Sequence, residues 1–173
     1  TFTREFFGDG DEEPSMLMMD EPGHRRLRSL VSKPFTPTAV EKWRPRTREV
    51  VQKVLASINS AEFDLISEFA GPIPTVVIAE MLGIDPEMHE DFKRWSDVSV
   101  KVSFNPFPSE DETRIAENAN QSLRNFFTQE IAKRRKLLGD DLLSDMIRAE
   151  EAGEKLTEHE IINQCNRLLI AGN

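Results

Sequence analysis

What this sequence has little of narrows its chemistry before any motif is read. It holds one cysteine, Cys165, in 173 residues, which excludes an internal disulfide framework and a multi-cysteine metal site and suits a reducing compartment. No apolar stretch approaches the ~20 residues of a membrane span, and no secretory signal opens the chain, so a soluble cytoplasmic protein is expected. There is no Gly-rich phosphate loop, no internal repeat and no low-complexity tract. The three histidines, His24, His89 and His159, sit in charged helical contexts with no nucleophile elbow near them, so a Ser-His-acid triad has no local support. His89 and His159 have acidic neighbours but no metal-ligand spacing and read as surface histidines.

What is present is charge, unevenly spread. Net charge is −9, yet the segment from Pro22 to Lys53 carries nine Lys or Arg against Glu41 and Glu49, which leaves +7 there and −16 elsewhere. One basic block on an acidic chain is either a localised anion-binding face or a solvated helix surface. The acidic remainder repels nucleic acid and argues against a helix-turn-helix regulator.

The residue pattern is that of a mainly helical domain, interrupted where Pro and Gly cluster. A loop covers Thr1 to Pro14. A helix starts near Pro22 and stops at Pro34. A short helix lies in "FTPTAVEKW", and Pro45 restarts another with Val50, Val51, Val54, Leu55 and Ile58 on one face. Phe63 to Ile66 suggests one short strand, whose partner must lie elsewhere. "PIPTVVIAEMLGI" is a buried helix closed at Gly83, and Asp85-Pro86 caps the next. After "SFNPFPSED" a long amphipathic helix turns Ile115, Ala119, Leu123, Phe126, Phe127 and Ile131 inward. The last helix opens with a capping box, Thr157 with Glu160, and carries Ile161, Ile162, Cys165, Leu168, Leu169 and Gly172 as one stripe.

Three features carry possible chemistry. His24 and Arg28 in "HRRLR" are one turn apart on one face and can grip a pair of carboxylates; an exposed basic helix end is the alternative. The methionines of "SMLMM" line an adaptable apolar pocket or simply join the core. The small residues of the terminal "LLIAGN" let something approach the backbone closely, whether a ligand or another helix. Cys165 falls in the apolar stripe and reads as a buried small hydrophobe.

In order and spacing, "SMLMMDEPGHRRLRSLVSKPFTPTAVEKW", "EFAGPIPTVVIAEMLGI", "DDLLSDMIRAEEAGEKLTEHEI" and "LLIAGN" resemble a bacterial cytochrome P-450, a heme-thiolate monooxygenase. The resemblance implies part of the cytochrome P-450 fold, helices C to I with one short strand, as a single partial domain over residues 1–173, truncated before the heme-thiolate loop. His24 and Arg28 then hold the propionates of heme b, while Met16, Leu17 and Phe35 lie against the porphyrin. Ala171 and Gly172 sit over the heme where O2 binds. Met18, Leu168 and Ala171 face a small apolar organic substrate, a class that Phe104 and Phe107 also favour, with the F–G region around Val98 to Phe107 closing the pocket. Arg25, Arg26 and Lys33 meet an acidic redox partner of the ferredoxin or flavodoxin type. The family's acid and threonine are expected just after Asn173, so no catalytic residue lies within the chain. The thiolate ligand is also outside it, because Cys165 lacks the surrounding loop, and the 173-residue piece alone is expected to be inactive. The rival class is a non-enzymatic all-helical interaction domain that docks an acidic partner on the basic face.

Overall fold

The helices begin where the sequence supplies a proline or a polar cap. The computed structural model describes residues 16, 19–103, 105–151 and 156–172. In chain order they form α1 (Gly23–Ser32), a 3-10 turn (Lys33–Phe35), α2 (Pro37–Glu41), α3 (Arg44–Ser57), a π turn (Leu65–Ala70), α4 (Pro72–Met81), a second 3-10 turn (Pro86–Met88), α5 (His89–Ser103), α6 (Glu110–Lys136), α7 (Leu142–Glu151) and α8 (Glu158–Gly172). Proline stands in the first turn of α2, α3 and α4, where its missing N–H costs nothing. Thr36 caps α2 through Ala39 N at 3.3 Å. Ser109 and Glu112 form a reciprocal capping box on α6, the Glu112 amide donating to Ser109 Oγ at 3.2 Å and the Ser109 amide to Glu112 Oε2 at 3.0 Å.

The short strand expected at Phe63 to Ile66 is not formed: Phe63 and Asp64 carry no regular structure and lead into the π turn that opens at Leu65. Asp64 Oδ1 accepts from the amides of Ile66 (2.9 Å) and Ser67 (2.8 Å), and the Asp64 amide donates to Glu68 Oε1 at 2.8 Å. These bonds commit the backbone to a cap, and no strand occurs among the described residues. The Ser67 amide, with the Ser67 hydroxyl and Ile66 amide, holds the Asp64 carboxyl below its usual range.

The core is built by α5, α6, α7 and α8. Phe92, Phe127, Leu123, Ile131, Leu143, Met146, Ile147, Ile161 and Cys165 are almost wholly excluded from solvent. At the α5–α6 contact Phe92 meets Phe127 edge-on at 6.1 Å between centroids, Phe126 meets Phe127 at 5.5 Å, and Trp95 meets Phe126 at 6.1 Å. Burying each large side chain contributes about 1.5–3 kcal/mol. The sequence pattern misplaces Ile115, which is 51% exposed while Ala116 and Ala119 turn inward. Leu55 is likewise exposed on α3, where Val50 is the buried residue.

One charged residue is packed inside this apolar framework. Arg134, on the last turn of α6, spends its guanidinium on three segments: Nε donates to both Asp141 oxygens at 3.1 Å, Nη1 to Glu130 Oε2 at 2.5 Å, and Nη2 to the carbonyls of Leu82 (3.2 Å) and Gly83 (2.6 Å). Gly83 ends α4 with φ of 69°, and a Cβ there would lie 2.6 Å from Asp141 Oδ2 and 2.7 Å from Arg134 Nη2. Asp141 also caps α7 through Ser144 N at 2.7 Å. Burial pushes the Glu130 carboxyl up, but bonds from Lys133 and Arg134 outweigh it and hold the group below the usual range.

Candidate functional site

The site is assembled on α1 and α8. Leu27, Leu30 and Val31 bury one stripe of α1, and the cationic residues flank it. Arg26, half-exposed, reaches across to a carboxylate oxygen of Glu160 on α8, whose side chain is 6% exposed. The second Glu160 oxygen accepts from the Thr157 amide at 2.8 Å, and the Glu160 amide donates to Thr157 Oγ1 at 3.1 Å. The expected capping box is therefore present, and its acid also ties α8 to α1. Arg25 is 81% exposed and lies 3.2 Å from Glu21.

On the other flank, His24 is half-buried and Arg28 exposed. Neither side chain bonds another group among the described residues, in contrast to Arg25 and Arg26. Two donors one turn apart, accessible and without an internal acceptor, are a donor set suited to a dianionic ligand such as the propionate edge of a porphyrin. Met16, Phe35 and Leu168 are partly buried and pack against the core. The 3-10 turn that contains Phe35 packs on α7. Ala171 is exposed near the end of α8. Of the remaining expected site residues, Leu17 and Met18 lie outside the described residues, as does Phe104; Gly172 is the last described position of α8, and Lys33 opens the turn after α1.

Cys165 is buried on the inner face of α8. Burial pushes its thiol well above the ordinary range, so at neutral pH it is a protonated hydrophobe and no metal ligand. His89 and His159 are not surface histidines: both are half-buried. His89 Nε2 lies 3.1 Å from the Ile84 carbonyl, and His159 Nε2 and Asn166 Oδ1 are buried without a hydrogen-bond partner among the described residues. No group of three or more His, Cys, Asp or Glu is placed to hold a metal among the described residues, and no described helix is long and apolar enough to cross a membrane. Pattern reading missed the Arg26–Glu160 bond, which joins residues far apart in sequence, and the Arg134 cluster, in which the nearby Glu130 and Asp141 meet the distant carbonyls of Leu82 and Gly83.

The described residues form a mainly helical framework in which α1 and α8 are tied by Arg26 and Glu160, and comparison with known proteins gives the family. No protein-family model matches the chain. It is 36% identical over 162 residues to the putative cytochrome P450 YjiB of Bacillus subtilis, covering 92% of this chain and 41% of that protein. It is 37% identical to the erythromycin C-12 hydroxylase of Saccharopolyspora erythraea, over 92% of this chain and 40% of that one. Among solved structures, it matches CYP109E1 from Bacillus megaterium in complex with testosterone with a TM-score of 0.83 and 34% identity, over 96% of this chain and 43% of that one. The chain belongs to the bacterial cytochrome P450 family, whose cofactor is heme b. It spans about two fifths of the length of the curated relatives it matches.

Proposed function

We propose that this chain is the part of a heme-dependent monooxygenase that binds the propionate edge of heme and roofs its oxygen side. The observation that carries this reading is the split on α1: Arg25 and Arg26 have partners among the described residues, while the side chains of His24 and Arg28 have none there. In this reading His24 donates a hydrogen bond and Arg28 a bidentate pair to the two propionates. Met16, Leu17 and Phe35 cover the porphyrin edge and exclude water. Ala171 and Gly172 keep α8 slim, so that its backbone can lie close over the ring. Heme, when bound, would supply the redox chemistry that splits O2 with two electrons and two protons, placing one oxygen atom in the substrate and releasing the other as water. Leu168, Ala171 and Met18 orient an apolar organic substrate; erythromycin and testosterone are the organic molecules named with two of the relatives.

Electrons come from an acidic partner of the ferredoxin or flavodoxin type in the cytoplasm. Arg25, which projects into solvent, and Lys33 are its contacts on the basic face; Arg26 contributes only what Glu160 leaves of its guanidinium. The chain alone does not oxygenate, because its one thiol is locked in the core. The test is the spectrum of the reduced, carbon-monoxide-bound full-length protein, alongside a turnover assay on the 173-residue chain. A thiolate-heme spectrum from the first and no oxidised product from the second are expected. A full-length protein that retains no heme, or a chain that turns over substrate, would overturn the reading.

A further inference from the structure

On α8, Glu160, Arg167 and Ala171 are spaced i, i+7 and i+11. At 100° per residue they fall within about 40° of one line along the helix. The azimuth of that line is fixed at one end, where Glu160 bonds Arg26 of α1. Near the other end Ala171 is exposed, about 120–180° around the helix from the buried Ile162, Cys165 and Leu169. Arg167 stands between them, one turn before Ala171, and is half-buried. A guanidinium is expensive to hold in such a position without an anionic or carbonyl acceptor. It interacts within the chain, and with five N–H donors in a rigid fork it can serve a second acceptor as well.

We infer that Arg167 is a specificity-determining residue that receives a carboxylate on the substrate, so that the preferred substrates are apolar acids and not neutral hydrocarbons. The inference rests on the monooxygenase reading, which places the Ala171 side of α8 over the substrate. The apolar body lies against Leu168 and the methionines, and its acid end pairs with Arg167. The geometry separates this role from that of His24 and Arg28, which belong to a different helix and whose side chains make no bond to α8 among the described residues.

The test is a spectral titration of the heme-loaded full-length protein with paired probes: octanoic acid, dodecanoic acid and a steroid carboxylic acid, each against its methyl ester. Wild type should bind at least one acid about tenfold or more tightly than its ester. Arg167→Leu should erase that preference while leaving ester affinity unchanged or improved, and Arg167→Lys should restore part of it. Unchanged melting temperature and heme content would show that each variant is folded. If no acid is preferred over its ester in wild type, or if Arg167→Leu keeps the preference, the inference fails. Failure of the monooxygenase reading itself shows separately, as absence of the thiolate-heme spectrum before any probe is added.

Discussion

Two arginines of this chain, Arg134 and Arg28, differ in everything except side-chain chemistry. Arg134 is buried, and Asp141, Glu130 and two carbonyls receive its donors. Arg28 is exposed and bonds nothing among the described residues. A guanidinium whose acceptors are all internal belongs to the fold, and one whose acceptors are missing is available to a ligand. The comparison separates a charge held by the fold from one left open at the surface.

Breaking the internal member should cost most. Arg134→Met strands two carboxylates and the Leu82 and Gly83 carbonyls in a partly buried site, and a loss of about 3–5 kcal/mol in urea denaturation is expected. The pH profile sharpens the same test. Because Glu130 is held below its ordinary value in the folded state, its contribution is present above the unfolded pKa and is lost as pH falls through the folded one. That acid-side loss should shrink in Arg134→Met. Gly83→Ala attacks the same cluster from the backbone. With φ at 69° and Asp141 and Arg134 inside 3 Å of the new Cβ, it should cost about 1–3 kcal/mol in the same assay. At the other pole, His24→Ala with Arg28→Ala should change stability by no more than about 0.5 kcal/mol. Heme retention, measured by transfer to apomyoglobin, should nevertheless fall by about tenfold or more for the pair. Stability loss from the α1 pair equal to that from Arg134, or unchanged heme transfer, would dissolve the distinction.

The helical plan was legible because it is local. Pro37, Pro45 and Pro72 announce helix starts, Gly83 announces an end, and Thr157 with Glu160 announces a capping box that the structure contains. The strand expected at Phe63 to Ile66 shows the limit: an apolar run of that length suits either state, and Asp64 with Glu68 decided for a helical turn. At the candidate site, the spacing of His24 and Arg28 could be read directly. What could not be read was which cations in "HRRLR" have partners, since the acid that takes Arg26 lies 134 residues away. Arg134 was equally hidden, a basic residue in a basic helix end until Asp141 and the α4 terminus fold around it.

The placement of Cys165 makes the chain its own indicator of opening. It is the sole thiol in the sequence, it sits on α8 against the core with no exposed surface, and burial keeps it protonated. A thiol-specific reagent added to the native chain therefore has one target and no route to it. Each modification event records a moment when α8 has lifted from α5, α6 and α7, and the labelling rate reads the free energy of that excursion at a single address.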